Sequence, residues 1–109
     1  MNYRHSFHAG NFADVVKHAI LVRILEYLRT KHAPFRVIDT HAGRGLYDLT
    51  GVEASRSGEW RDGIARLLAF VPSQAATVLL APYLGAVTAA SEGKRLAVYP
   101  GSPMLTRRL

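Results

Sequence analysis

The chain contains no cysteine, which excludes disulfide bonds and thiolate-ligated metal sites. A reducing compartment such as the cytoplasm is compatible with this, and we expect the protein there. Acidic residues are also scarce: eight Asp and Glu stand against fourteen Lys and Arg, for a formal net charge of +6 over 109 residues. So basic a surface favours phosphate-bearing partners such as nucleic acid, although charge alone does not separate that role from simple solubility.

Charged residues are missing altogether between residues 67 and 91. Crossing a bilayer takes about 20 predominantly apolar residues with few breaks, whereas Pro72, Pro82 and Gly85 interrupt this stretch. Packed helices joined by a turn are therefore the better interpretation. The N-terminus also lacks the apolar run of a signal peptide, so we expect neither membrane association nor export.

Hydrophobic periodicity and turn residues predict the secondary structure. A stripe of apolar residues at helical spacing predicts an amphipathic helix over residues 12–31, which Pro34 stops; its members are Phe12, Val16, Ile20, Ile24 and Leu28. Serine followed by proline is typical of a helix start, which places one at Ser102. The remaining expectations are a strand at 35–39, a loop over 46–58, helices over 59–70 and within 74–91, and a short strand at 96–99.

The predicted strand at 35–39 ends at Asp39 and leads into a loop that carries Gly43 and Gly45. Such a loop is how doubly wound α/β folds bring backbone close to a nucleoside-containing ligand, because glycine has no Cβ to block the approach. The pattern alone is weak, since glycines after a strand more often form plain turns. A dinucleotide fingerprint would place a third glycine at Asp48, so an oxidoreductase is the weaker interpretation.

Aromatic and basic residues alternate near the N-terminus, at Tyr3, Arg4, His5, Phe7 and His8. That mixture suits stacking on bases while cations meet phosphates, and a disordered terminus is an equally good interpretation. His5 and His8 have the spacing of half a metal site. We expect no metal, because no third ligand is adjacent and cysteine is absent.

Several blocks occur in one order along the chain. They are Tyr-Arg-His-Ser-Phe-His-Ala-Gly-Asn at 3–11 with 13–15 and 17–18, Asp-Thr-His-Ala-Gly at 39–43 with Gly45 and Tyr47, then 58–59, 63–66, and Tyr-Pro-Gly-Ser-Pro at 99–103. Together they resemble the RlmJ family of large-subunit ribosomal RNA adenine-N6 methyltransferases. The resemblance covers essentially the whole chain and is weakest between residues 67 and 95.

The resemblance implies a class I methyltransferase with an α/β, Rossmann-like sheet and a helical insertion. Residues 1–45 would hold the N-terminal segment, the long helix, the first strand and the cofactor loop; residues 46–95 would be the insertion; residues 96–109 would return to the core. The family's catalytic Asp-Pro-Pro-Tyr-type motif is absent from these residues. We therefore expect the N-terminal portion of a longer enzyme, inactive alone and without a catalytic residue of its own.

The implied activity is methyl transfer from S-adenosylmethionine to N6 of an adenine in 23S ribosomal RNA. Matching positions give the cofactor contacts as His18, His41 and Ser102, with Lys17, Gly43 and Gly45 as lesser ones. Tyr3 and Arg4 would face the RNA. The alternative is an RNA- or nucleotide-binding module without chemistry, and an Asp-Pro-Pro-aromatic motif downstream in the gene would distinguish the two.

Overall fold

A computed structural model describes residues 4–92 and 95–108. Within these ranges the elements follow one another as a 3-10 turn His5–Phe7, α1 (Phe12–Arg29), β1 (Leu46–Asp48), α2 (Val52–Ser57), α3 (Glu59–Asp62), α4 (Ile64–Ala69), α5 (Gln74–Ala90), β2 (Val98–Pro100) and α6 (Ser102–Arg108). The predicted helices at 12–31 and within 74–91 are confirmed, as is the helix start at Ser102. No helix in these ranges is long and apolar enough to cross a membrane.

Helix α1 buries a different face from the one that its apolar stripe predicts. The buried residues are Asp14, His18, Val22 and Leu25. Four members of the apolar stripe are instead more than half exposed, namely Phe12, Val16, Ile20 and Ile24. Periodicity determines only the spacing of a stripe, whereas the buried face depends on neighbours that can pair with the two polar residues. The amphipathic helix is thus present, but most of its apolar stripe lies on the exposed side.

The two strands pair with each other in antiparallel register, with Tyr47 opposite Tyr99. The strand expected near 96–99 is confirmed one or two residues later. The loop expected at 46–58 is wrong, because that segment contains β1 and α2. A strand of three residues and a helix of six are too short to produce a periodic signal.

The strand expected at 35–39 is also wrong for the described residues. Residues 34–39 have no regular secondary structure, and Ile38 is 80% exposed. A β-ladder needs a neighbouring strand to share its backbone hydrogen bonds, and β1 pairs with β2 instead. Among these residues the fold is therefore a mixture of helices with one antiparallel pair, and they do not form a parallel sheet.

The single helix expected over 59–70 is broken into α3 and α4 at Gly63. A Cβ at this position would lie 2.1 Å from the carbonyl oxygen of Gly10 and 2.6 Å from the carbonyl carbon of Asn11. The next amide, that of Ile64, donates to the same Gly10 oxygen at 2.8 Å. The helix breaks here because the chain must pass directly against the start of α1.

All three segments distinguished in the sequence contribute to one hydrophobic core. Its buried members are Ala9, Val22, Tyr47, Leu49, Ala54, Ile64, Tyr83, Ala86, Val87, Tyr99 and Leu105. Two of the tyrosines form a hydrogen-bonded chain that ends at a buried histidine. The hydroxyl of Tyr99 lies 2.5 Å from Nδ1 of His18 and 2.8 Å from the hydroxyl of Tyr83. This network joins α1, β2 and α5 at the centre of the molecule.

The pKa of His18 is lowered to about 4, mainly by burial; Asp14 and Asp39 act to raise this pKa, while Lys17 and His5 act to lower it. Loss of hydration penalises the charged imidazolium more than the neutral ring. His18 is therefore neutral in the folded protein near pH 7.

Substitution of Gly63 by alanine should destabilise the protein by about 1–3 kcal/mol, because the new methyl group meets backbone atoms that cannot move aside. The matched control is Gly85→Ala within α5, where an added Cβ has nothing within 4 Å. That variant should gain up to about 1 kcal/mol from helix propensity. Urea denaturation measures both, and equal effects at the two positions would contradict the packing described above.

The stability of the fold should decrease as the pH falls from about 6.5 towards 4, because the unfolded chain then binds a proton at His18 that the folded chain does not. The full contribution is about 3 kcal/mol, from about 1.4 kcal/mol for each pH unit. Denaturation of the wild type and His18→Gln should give free energies that converge over this range. The exposed His32→Gln controls for loss of an imidazole, and a constant difference between wild type and His18→Gln would refute the assignment.

Candidate functional site

A cleft of about 460 Å³ opens between α1, the start of α6 and the loop that carries Gly43 and Gly45, which we call the glycine loop. Five of the residues predicted for the cofactor line it, namely Lys17, His18, His41, Gly43 and Ser102. The other lining residues are His5, Ala42, Tyr47 and Gly101. Residues as far apart in sequence as Lys17 and Ser102 thus meet at one place. This convergence was not visible in the sequence, where only the family blocks suggested it.

The glycine loop forms one wall of the cleft, and hydrogen bonds that join its backbone to Tyr47 and Gly101 hold it in place. Gly43 has a φ of +60°, a conformation that glycine adopts without strain, and a Cβ there would lie 2.5 Å from the hydroxyl of Tyr47. That hydroxyl accepts a hydrogen bond from the amide of Arg44 at 3.0 Å. Gly45 does not line the cleft. Its carbonyl accepts from the amide of Gly101 at 2.8 Å, which ties the loop to the turn before α6.

An ionised carboxylate lies at the junction of this loop and α6. The hydroxyl of Ser102 donates to Oδ2 of Asp39, and the amide of His41 donates to its Oδ1 at 3.1 Å. The hydrogen bond from Ser102 is the largest cause that holds the pKa of Asp39 below its usual range. The amide of His41 and the positive charge of Lys17 lower this pKa as well. Asp39 borders a neighbouring cavity of about 320 Å³ that shares Lys17, His41 and Ser102 with the cleft.

The opposite wall depends on a second carboxylate, which is buried. Asp14 is 3% exposed, and its Oδ2 lies 2.7 Å from Nε2 of His5 while accepting from the amide of Gly10 at 3.0 Å. The Nζ of Lys17 lies 3.9 Å from Oδ1 of the same carboxylate. Asp14 therefore positions both basic side chains that line this wall. The ring of His5 also meets that of Tyr47 edge-on, with centroids 5.3 Å apart.

His5 and His8 do not converge on a common point. Each faces a different carboxylate: His5 contacts Asp14, and Nδ1 of His8 lies 3.0 Å from both oxygens of Glu59. The hydrogen bonds of His8 and Asn11 hold the pKa of Glu59 below its ordinary value. Within residues 4–92 and 95–108, no group of three or more histidine or acidic side chains is arranged to hold a metal ion.

A further cavity of about 450 Å³ adjoins the cleft. We call it the Arg4 cavity; it is lined by Arg4, His5, Ser6, Gly43, Arg44, Tyr47 and Glu53. Arg4 lies 3.8 Å from Glu53 and its side chain remains 67% exposed. Of the two residues predicted for RNA, Arg4 is thus next to the cleft, while Tyr3 lies outside the described residues.

The arrangement offers a ligand several distinct chemical groups in a small volume. Lys17 provides a partly exposed cation, with 59% of its side chain accessible. His18 provides a neutral imidazole, and Asp39, at the edge, provides an ionised carboxylate that can accept from hydroxyl or ammonium groups. His5, Tyr47 and Gly101 also line the cleft, although sequence reasoning did not select them as cofactor residues. The signal was present, since Tyr47 and Gly101 occur in the family blocks.

The sequence is similar to known proteins over its whole length. It is 44% identical over 111 residues to ribosomal RNA large subunit methyltransferase J of Escherichia coli (strain K12), and 40% identical over 112 residues to the protein of that name from Haemophilus influenzae. Each alignment covers 100% of this chain and 38% of the relative, so the chain spans well under half the length of these proteins.

A solved structure has the same fold. The crystal structure of a protein from Legionella pneumophila superposes with a TM-score of 0.75 at 36% sequence identity, over 93% of this chain and 36% of that one. The sequence model described as "Ribosomal RNA large subunit methyltransferase D, RlmJ" matches residues 32–109. The chain therefore belongs to the RlmJ family of ribosomal RNA large subunit methyltransferases.

Proposed function

We propose that this chain supplies the S-adenosylmethionine site of an enzyme that methylates N6 of an adenine in 23S ribosomal RNA. The observation that carries the proposal is the convergence of five separately predicted residues on one cleft, in a chain of this family. They are Lys17, His18, His41, Gly43 and Ser102. The curated relatives are named as ribosomal RNA methyltransferases, and a ribosomal RNA substrate would place the protein in the cytoplasm.

The residues of the cleft fit such a cofactor by size and by polarity. Its volume of about 460 Å³ falls within the range of roughly 300–1,000 Å³ that is usual for small-molecule sites. S-adenosylmethionine carries an ammonium group and ribose hydroxyls, which need acceptors, and a carboxylate, which needs a donor. The ionised Asp39 suits the former and Lys17 the latter.

The neutral state of His18 is compatible with a sulfonium ligand. When bound, the cofactor supplies an electrophilic methyl group on a positively charged sulfur. A protonated histidine at this depth would repel that charge, but burial keeps His18 neutral. We assign His18, His41 and Ser102 to holding and orienting the cofactor, and Gly43 to letting the loop backbone pass close to it.

The substrate side would be the Arg4 cavity. Arg4 and Arg44 can neutralise phosphates there, and Tyr3 would stack on a base. An adenine amine is inaccessible inside a stacked helix, so the base must be displaced from its stack before methyl transfer. The Arg4 cavity shares His5, Gly43 and Tyr47 with the cleft, which would bring RNA and cofactor close together.

We also propose a fold beyond the described antiparallel pair. The parent domain would contain the Rossmann-like sheet of a class I methyltransferase, and the exposed side chain of Ile38 could pack against it, although residues 34–39 themselves have no regular secondary structure. Residues 46–95 would be the helical insertion after the cofactor loop, and residues 96–109 would return to the sheet.

S-adenosylmethionine should bind the protein more tightly than NAD, because Asp48 stands where a dinucleotide site needs a third glycine. Ser102→Ala should weaken this binding by about 0.5–1.5 kcal/mol, the value of one hydrogen bond. Ser55→Ala removes an exposed hydroxyl of α2 outside the cleft and is the matched control. Calorimetric titration tests this; tighter NAD binding, or equal losses in both serine variants, would contradict the proposed site.

Substrate and cofactor contacts should be separable by mutation in protein expressed from the complete reading frame. Arg4→Ala and Tyr3→Ala should weaken the use of RNA, by about 1–3 kcal/mol for a lost base stack, and should leave cofactor affinity unchanged. His41→Ala should do the reverse, at a cost of about 0.5–1.5 kcal/mol in cofactor affinity.

The measurements are methylation kinetics against RNA concentration and calorimetry with S-adenosylmethionine. Arg56→Ala, at an exposed position of α2, removes the same charge as Arg4→Ala and controls for non-specific electrostatics. Equal loss of cofactor affinity in Tyr3→Ala and His41→Ala would refute this division. RNA binding without any methyl transfer would favour the non-catalytic alternative.

A further inference from the structure

A buried chain of three polar groups ends at the cleft. Tyr83 on α5, Tyr99 on β2 and His18 on α1 are 1%, 0% and 2% exposed. The hydroxyl groups of Tyr83 and Tyr99 lie 2.8 Å apart, and the hydroxyl of Tyr99 lies 2.5 Å from Nδ1 of His18. His18 is the member that also lines the cleft.

The number of hydrogens in this chain determines the direction of its hydrogen bonds. If Tyr83 donates to Tyr99 and Tyr99 donates to Nδ1 of His18, both hydroxyl hydrogens have an acceptor. In the reverse direction, the hydroxyl hydrogen of Tyr83 has no acceptor among the described residues. Leaving a buried donor unpaired is costly, so the first direction is favoured by roughly 5-fold to 150-fold in population.

We propose that Tyr99 is a positioning residue that fixes His18 as the tautomer protonated at Nε2, so that the cofactor cleft presents an imidazole N–H donor. This rests on the proposed function for the identity of the ligand. With Nδ1 occupied as an acceptor for Tyr99, Nε2 is the only ring nitrogen left for the cleft, and in the neutral ring it carries the hydrogen. The ligand atom opposite His18 must then be an acceptor, such as a ring nitrogen, a hydroxyl oxygen or a carboxylate.

The charges around His18 are consistent with a neutral ring that has one defined hydrogen. Asp14 and Asp39 favour the protonated form, while Lys17 and His5 disfavour it, and burial outweighs them all. A histidine kept neutral does not change its donor when the pH varies near 7. The direction of the hydroxyl chain is then the factor that decides which nitrogen holds the proton.

Nitrogen-15 NMR of the histidine rings tests the tautomer directly and needs no ligand. The His18 signals, assigned by their loss in His18→Gln, should show a protonated Nε2 and an unprotonated Nδ1 at pH 7. Tyr99→Phe removes the donor to Nδ1 and should yield a mixture of tautomers. Tyr83→Phe is the matched control, since it removes a similarly buried hydroxyl but leaves Tyr99 free to donate to His18.

Binding of S-adenosylmethionine adds a functional readout. Tyr99→Phe should weaken it by about fivefold, within the range for one hydrogen bond, while Tyr83→Phe should change it by less than about twofold. In a His18→Gln background the effect of Tyr99→Phe should vanish. The glutamine amide always carries a donor, so its ability to donate does not depend on the residue at position 99. Thermal unfolding of both phenylalanine variants checks that each is folded.

The outcomes separate this inference from the proposed function. A wild-type His18 protonated at Nδ1, or one whose tautomer is the same in Tyr99→Phe, overturns the role of Tyr99 whatever the protein binds. Equal losses of affinity in both phenylalanine variants would reduce Tyr99 to a structural residue and also overturn it. The expected tautomers without any S-adenosylmethionine binding by the wild type would instead refute the cofactor assignment.

Discussion

The buried carboxylate of Asp14 is the constraint on which the rest of the site depends. Removing an unpaired charge from water is costly, so a buried carboxylate must be surrounded by donors. Asp14 obtains them from His5 and the amide of Gly10, and Lys17 lies within 4 Å. The segment that precedes α1 must therefore fold back against that helix. One wall of the cleft exists because this requirement is met.

A second requirement operates at the centre of the core, where Tyr99 is completely buried. Its hydroxyl needs partners, and it finds them on two different helices, at His18 and Tyr83. Packing and polarity are coupled here: the contacts that join α1, α5 and β2 also keep His18 neutral and oriented. The cleft thus combines a neutral His18 with the cation of Lys17, and the ionised Asp39 lies at its edge; burial explains the state of His18 and hydrogen bonds that of Asp39.

Sequence patterns predicted those elements whose signals are local. Pro34 and the Ser102-Pro103 pair mark helix ends through nearby backbone chemistry, and the corresponding helices were found. Sequence patterns failed where a helix break or a buried face is determined by residues that are distant in the chain. The break at Gly63 depends on Gly10, some fifty positions earlier, and the buried face of α1 depends on Tyr99. The segment 35–39 has strand-forming residues without a described strand beside it.

The candidate site was predictable only through the family blocks. Charge, glycines and histidines gave weak signals singly, because each is compatible with an ordinary surface or turn. The blocks selected Lys17, His18, His41, Gly43 and Ser102, and the structure places these on one cleft. Asp39 was predicted only as the end of a strand that the described residues 35–39 do not form, and its role as the acceptor for Ser102 depends on α6, which sequence position alone does not reveal.

Two adjoining cavities with a shared wall are what a group-transfer site requires. Transfer between two bound molecules is fast only when both are held in alignment within contact distance. His5, Gly43 and Tyr47 border both the cleft and the Arg4 cavity, and their positions are mutually determined. Gly43 passes against the hydroxyl of Tyr47, and the ring of Tyr47 meets that of His5, which Asp14 anchors. A disturbance of any one of them would therefore alter the geometry between the two cavities, even where the other walls of each cavity were unchanged.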